Sequence, residues 1–295
     1  MKDMGKANLL LGIKINHLEN GFSFDQEHYI EELADKYDIK NLIPSNTPLK
    51  PHLQLFISSD KEHKDFNNLN INYRSPVGSL SYISSNTCPD ITFAVSHLSQ
   101  LLEKRGLSHW NVCIQVLHYL YHSKTLCLTF KNHGFHHIKT YADADWGNSP
   151  VDRRSVSGFT VSINQHLISW CSKRQQTEAE YKSLIDATKE TTWLTNLINE
   201  IQLTTSPLDP LLLNDNKRAV DLAFNDANHS GFKTKHMDIK LHYIQEVLRK
   251  GIMLLKHVPT GAMNADFLTK SVGKTILLKS LNFNNLLKKS SAPSP

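Results

Sequence analysis

Residues Asn8 to Ile15 read as a short strand, the Glu19-Asn20-Gly21 cluster as a hairpin turn, and Phe22-Ser23-Phe24, with alternating aromatics, as the returning strand. From Asp25, which is placed to cap, the apolar residues Tyr29, Ile30, Leu33, Ala34 and Tyr37 fall at helical spacing until about Asn41. The stretch Pro44 to Asn70 holds three prolines and the polar run Ser58 to Lys64; it shows no period and predicts a connecting loop. Helical spacing resumes at Ser75, with Val77, Leu80, Ser81 and Ser84 on one face. After the Pro89 break it continues through Ile91, Val95, Leu98 and Leu102, and then through Trp110, Cys113, Val116, Leu117 and Leu120. Three helices that each carry one apolar face are expected to pack together.

After Lys124 the pattern becomes that of strands: Leu126 to Phe130, Ile138 to Ala142, Gly158 to Ile163 and Leu167 to Trp170. A long helix follows from about Thr177 to Ile201, with Leu194, Leu197, Ile198 and Ile201 at the spacing of a buried face. The wholly apolar run Leu211-Leu212-Leu213 ends at Asn214-Asp215-Asn216, which predicts a central strand buried on both faces. Two helical stretches come next, the second striped by Met237, Leu241, Ile244 and Leu248, and then a strand over Ile252 to Val258. From about His136 to Lys274 the order is β-β-β-α-β-α-α-β-α, a mixed sheet with helices on its faces.

Composition narrows the class without naming a function. A chain of 295 residues with 40% hydrophobic and 21% charged residues is expected to form two globular domains, which excludes a disordered or fibrous protein. Lys and Arg number 33 against 28 Asp and Glu, for a net charge of +5 and a pI near 8.9, a balance that suits a polyanionic partner without requiring one. Cys88, Cys113, Cys127 and Cys171 form no Cys-x-x-Cys pair, so neither a zinc knuckle nor a disulfide framework is expected, and the thiols read as reduced. The apolar run Leu9 to Ile13 is cut by Lys14, too short for a membrane span or a signal peptide. An intracellular protein, cytoplasmic or nuclear, with no membrane partner is the expectation.

Four acids of the second half sit at the ends of central elements: Asp143 ends the Ile138 strand, Glu180 stands early in the long helix, Asp215 ends the apolar strand, and Asp266 starts the last helix. In open α/β sheets ligands gather beyond the carboxyl ends of strands, and carboxylates brought together there repel unless cations lie between them. Hard divalent ions with oxygen ligands meet that need. Each acid alone has a plainer reading: Asp266 as a helix cap, Glu178 as a first-turn acid favoured by the helix dipole, and Asp145, two residues beyond Asp143 on the same strand face, as a rival for its part.

The surrounding motifs decide between these readings. Tyr141-Ala142-Asp143-Ala144-Asp145-Trp146-Gly147, Arg153-Arg154-Ser155-Val156-Ser157-Gly158-Phe159, Ile168-Ser169-Trp170-Cys171-Ser172-Lys173-Arg174-Gln175, Thr177-Glu178-Ala179-Glu180-Tyr181, Asp215-Asn216-Lys217-Arg218-Ala219, Lys235-His236-Met237-Asp238-Ile239 and Ala265-Asp266-Phe267-Leu268-Thr269-Lys270 follow one another in order. Together they resemble the ribonuclease H domain of copia-type LTR retrotransposon Pol polyproteins. Upstream, Leu10-Leu11-Gly12-Ile13-Lys14-Ile15, Tyr73-Arg74-Ser75-Pro76-Val77-Gly78-Ser79-Leu80, Cys88-Pro89-Asp90-Ile91 and His109-Trp110 resemble the end of the reverse transcriptase region of the same polyproteins. The resemblance implies an α/β chain: a ribonuclease H-like mixed sheet flanked by helices over 136–275, preceded over 1–130 by a small α+β reverse transcriptase remnant with a helical segment, and followed by a tail over 276–295.

The resemblance further implies that Asp143, Glu180, Asp215 and Asp266 bind two Mg²⁺ ions, with Mn²⁺ as an alternative, and cut the RNA strand of an RNA–DNA hybrid. Glu180 and nearby main-chain amides would sense the 2′-hydroxyl. Lys173, Arg174, Lys233, Lys235, His236 and Lys240 are candidates to meet hybrid phosphates, each also readable as a solvated surface charge. The chain has no Asp-Asp dipeptide, so the polymerase Tyr-x-Asp-Asp turn is absent and no polymerase activity is expected; the fingers and catalytic palm would be missing partners.

Other departures bear on activity. Between Gln176 and Thr177 the family carries a further apolar segment of roughly six residues. Without it a shortened strand would feed straight into the Glu180 helix and shift that acid. Cys88 stands where the family commonly has an arginine, and no histidine precedes Asp266 in its loop, with His257 and His242 as candidate substitutes. The rival to the nuclease is a catalytically inactive relic that serves at most as a weak nucleic-acid-binding module.

Overall fold

Turn chemistry and alternation build the first sheet. β1 (Leu9–Leu10) pairs antiparallel with β2 (Ile13–Leu18), which returns through Glu19 and Asn20 into β3 (Gly21–Asp25). Gly21 has φ +148°, and a Cβ there would lie 1.9 Å from the Phe130 carbonyl oxygen, so no side chain fits this turn. The computed structural model describes residues 5–41, 43–132, 137–145, 155–175, 179–203, 208–225 and 235–289, without the side chains at 179, 180 and 235–237. It divides into two compact units, residues 1–132 with 271–295, and residues 133–270.

In the first unit, α1 (Glu27–Lys36) begins behind Asp25, whose Oδ1 accepts the Glu27 amide at 3.2 Å, and it buries Ile30, Leu33 and Ala34. The 44–70 stretch is not a loop throughout. α2 (Asp60–Asn68) starts on a capping box: the Glu62 amide donates to Ser59 Oγ, and the Ser59 amide donates to the Glu62 carboxylate at 2.8 Å. The helix buries a single apolar residue, Phe66, so no apolar period announces it. α3 (Arg74–Asn86), α4 (Thr92–Ser99) and α5 (Leu107–Ser123) follow as expected, with Leu80, Ile83, Leu98, Val116, Leu117 and Leu120 in the core. β4 (Leu126–Lys131) then pairs with β3.

The second unit opens on a meander of β5 (Ile138–Asp145), β6 (Ser155–Ile163) and β7 (His166–Gln175). α6 (Ala179–Glu200), β8 (Leu211–Asn214), α7 (Lys217–Phe224), α8 (Lys235–Arg249) and β9 (Leu254–His257) complete it. The sheet order is β7-β6-β5-β8-β9, antiparallel from β7 to β5 and parallel from β5 to β9. This is the ribonuclease H-like mixed sheet that the motifs imply. β8 is central, as its unbroken apolar run predicts, and every residue of β6 is buried. Leu184, Ile185 and Ala187 of α6 pack on Ile138, Ala142, Val161 and Leu212 of the sheet.

Three expectations change. β7 runs ten residues and pairs with β6 between His166 and Gln175, longer than the predicted Leu167 to Trp170, because β6 offers a full-length ladder. Asp266–Leu268 form one 3₁₀ turn rather than the start of an α-helix. Residues 276–295 are not simply a tail. α9 (Lys274–Phe283) buries Leu277 and Leu281, and β10 (Leu286–Lys288) pairs antiparallel with β4 in the first unit. Lys289 anchors this return. Its amide donates to Thr125 O at 2.8 Å, and its Nζ lies 3.1 Å from both Asp25 Oδ2 and Glu27 Oε2. Among the described residues, no helix is long and apolar enough to cross a membrane.

Lys289→Met leaves the buried Asp25 carboxylate without its cation and should cost about 1–3 kcal/mol of first-unit stability, read by urea unfolding; an unchanged midpoint removes the anchor role. A second test concerns Asp90, which accepts the Tyr119 hydroxyl at 2.7 Å and whose carboxyl burial pushes up to about 6. The folded chain holds that proton to higher pH than the unfolded chain does, so the contribution of Asp90 to stability is greatest below about 4 and declines as the pH climbs to about 6. Asp90→Asn lacks that decline, and its stability relative to the parent should rise over this window by on the order of 2–3 kcal/mol.

Candidate functional site

The parallel pairing of β5 with β8 aligns Ala142 with Asn214, so Asp143 and Asp215 follow one another at the carboxyl ends of neighbouring strands. Asn214 fixes the junction: its Nδ2 donates to Ala142 O at 2.8 Å, and its Oδ1 accepts the Asn216 amide at 2.8 Å. Asn216 Oδ1 in turn accepts the Ala219 amide at 3.1 Å and caps α7. Asp215 is thereby held in a bend between strand and helix, half-buried, with its carbonyl 3.0 Å from His257 Nε2.

On the other side of β5, Asp143 faces Gly158 of β6 in the antiparallel register. A Cβ at Gly158 would come within 2.8 Å of Leu268 Cβ and 2.9 Å of Thr269 Cγ2, so its absence lets the 265–270 turn lie directly on the sheet. That approach brings Asp266 beside Asp143. The Thr269 hydroxyl donates to Asp143 Oδ2, and Lys270 Nζ lies 2.9 Å from Asp266 Oδ1.

Asp143 is 4% exposed and Asp266 9%. The Asp143 carboxyl is lifted to about 7, chiefly by burial and in part by the charges of Asp266 and Asp215, against the Thr269 hydroxyl and the Lys270 ammonium, which pull it back. Three of the four sequence-selected acids therefore share one electrostatic field. They do not form a closed cage: among the described residues, no three His, Cys, Asp or Glu side chains are grouped so as to hold a metal ion. The Glu180 side chain lies outside the described residues, and position 180 is one helical turn ahead of Ser183, whose Oγ donates to Gly158 O at 3.0 Å. The donor chemistry, carboxylate oxygens of like charge with two of them buried, is of the type a hard divalent cation takes, and Lys270 is the cation that bears on Asp143.

The remaining candidates divide. Asp145 stays in the field, since its charge reaches Lys270. His242 Nδ1 lies 3.2 Å from Gln245 Oε1, in a net that runs to the Asn225 carbonyl, a structural setting. Lys173 is exposed on β7, and Lys240, part-buried on α8, has its ammonium pulled below the ordinary value by burial and then by Lys182, Lys189 and Lys173. Lys182 and Lys189 escaped the sequence reading; their i, i+7 spacing on one helix was the available signal. Lys233, Arg153, Arg154, Glu178 and the junction at Gln176 and Thr177 lie outside the described residues, as do the side chains of Lys235 and His236.

No protein-family model matches the chain. It is 34% identical over 283 residues to the retrovirus-related Pol polyprotein from transposon TNT 1-94 of Nicotiana tabacum, covering 92% of this chain and 21% of that protein. It is 32% identical over 282 residues to the Pol polyprotein from transposon RE1 of Arabidopsis thaliana, covering 93% and 19%. Over more than nine-tenths of its length the chain is a homologue of the retrovirus-related Pol polyproteins of copia-type transposons. It spans about a fifth of the length of these Pol relatives. Among solved structures, LC11-RNase H1 in complex with RNA/DNA hybrid overlaps 45% of this chain and 93% of its own, with 14% identity and a TM-score of 0.34. The foamy viral protease-reverse transcriptase dRH in complex with double-stranded DNA overlaps 85% and 37%, with 12% identity and a TM-score of 0.44.

The Gly158 contact is directly testable. Gly158→Ala should push the 265–270 turn off the sheet, lower stability by about 1–3 kcal/mol in thermal unfolding, and return the Asp143 carboxyl toward its ordinary value in an NMR titration. An unaltered Asp143 titration would show that the close approach does not set the field.

Proposed function

We propose that the second unit is a ribonuclease H-type endonuclease that cuts the RNA strand of RNA–DNA hybrids with two bound divalent cations, Mg²⁺ or Mn²⁺. The observation that carries this reading is the convergence of Asp143, Asp215 and Asp266 at the carboxyl ends of β5 and β8 and the turn packed on Gly158, where burial and like charge both favour an added cation. Glu180 completes the quartet by its motif and by its place one turn ahead of Ser183.

In this reading Asp143 and Asp266 hold the cations, with Thr269 fixing the Asp143 carboxylate and Asn214 fixing the bend that carries Asp215. Bound cations would supply the positive charge that in-line displacement at a phosphodiester needs on its attacking and leaving oxygens. Lys173, Lys182, Lys189 and Lys240 offer a positive surface for hybrid phosphates, and Glu180 with nearby amides reads the 2′-hydroxyl. Polymerisation has no acidic turn to support it.

A second reading, an inactive relic that binds nucleic acid weakly, is favoured by the absence of a closed ligand group among the described residues. Incubating the full chain with a labelled RNA–DNA hybrid and Mg²⁺ separates the two. The nuclease reading expects RNA cleavage that falls by about 10²–10³-fold in Asp143→Asn. No cleavage at any Mg²⁺ or Mn²⁺ concentration establishes the relic.

A further inference from the structure

In the motif Ala265-Asp266-Phe267-Leu268-Thr269-Lys270 the fold puts three polar side chains to use, those of Asp266, Thr269 and Lys270. The amides of Thr269 and Lys270 both donate to Asp266 O at 3.1 Å, so the turn closes on itself. Leu268 and Thr269 are fully buried against the sheet at Gly158. On this fixed base the Lys270 stem starts next to the Asp266 carboxylate and sets its Nζ 2.9 Å from Oδ1. The side chain remains 37% exposed, while its partner carboxylate is 13% exposed, so the ammonium stands at the mouth of the acidic centre with a route to solvent.

We propose that Lys270 is a built-in counter-ion of this centre: its ammonium supplies the charge that a divalent cation would otherwise bring, and so sets how tightly such a cation binds. The inference rests on the reading of Asp143, Asp215 and Asp266 as cation ligands. Buried like charges must be neutralised for the unit to stay folded, and a lysine four residues from Asp266 does so without any ion from solution. A divalent cation entering the same field must displace this charge or bind beside it. The flexible four-carbon stem can swing outward, which makes the exchange reversible. The centre then has two states, closed on Lys270 at low divalent concentration and open to substrate phosphate at high concentration.

The test measures Mg²⁺ binding to the full chain by calorimetry, with thermal unfolding in chelator as the second readout. Lys270→Gln should unfold at lower temperature in chelator and bind Mg²⁺ about five- to tenfold more tightly, the scale expected for removing one partly exposed opposing charge. Lys270→Arg keeps the charge and should match the parent in both readouts. Binding by Lys270→Gln alone, with none by the parent, supports the proposal strongly. Equal or weaker Mg²⁺ binding by Lys270→Gln, with the parent binding normally, overturns the counter-ion role and leaves the nuclease reading intact. Absence of binding in every variant overturns both. Asp143→Asn marks the centre: its loss of heat assigns the measured ion to these carboxylates.

Discussion

Burying a carboxylate next to two others is the costly step on which the second unit is organised. Asp143 cannot sit between Asp215 and Asp266 at 4% exposure unless its charge is suppressed or countered, and the fold contributes to both. A hydroxyl from Thr269 and an ammonium from Lys270 come from the same short turn that delivers Asp266. That turn reaches the sheet only because Gly158 has no side chain. A missing methyl group thus conditions the electrostatics of a centre whose groups span more than a hundred residues of the chain.

The first unit meets a comparable problem by different means. Asp25 is buried where β3 passes into α1, and its carboxylate accepts the Glu27 amide, the Asn16 side chain at 2.6 Å and the Lys289 ammonium. The cation arrives from the other end of the chain, on the residue just past β10, so a single buried acid joins the opening hairpin to the closing strand. Ionic residues specify assembly in both units. In the first they hold a strand in place; in the second they gather at the carboxyl ends of β5 and β8.

Polar residues also line the back of the central helix. Thr188, Thr191 and Thr195 of α6 are buried, and each hydroxyl donates to the carbonyl four residues earlier, while Thr191 Oγ1 lies 2.7 Å from Thr140 Oγ1 of β5. A threonine seam satisfies itself within the helix and packs its methyl groups on the sheet, so α6 buries a face that looks polar in sequence. Leu194 and Ile198 occupy the buried face as their spacing predicts, whereas Ile201, just past the end of α6, is 54% exposed because the helix has already ended.

Much of the architecture was legible from local pattern. The strand periods, the unbroken apolar run of β8, the three-helix segment of the first unit and the seven ordered motifs each depend on neighbours a few residues away, and period and turn chemistry encode such neighbours directly. The acids at the strand ends could be picked out for the same reason. Three other features were not legible. α2 has a capping box but one buried apolar residue, the final strand pairs with β4 across most of the chain, and Lys182 and Lys189 meet Lys240 only after α6 and α8 have docked. The amino-acid order by itself determined which segments became strands and helices and which residues could carry charge chemistry. Tertiary structure alone decided which charges share a field, because Coulomb interactions and desolvation depend on distance and burial, and the contact at Gly158 that sets both for Asp143 exists only in the folded chain.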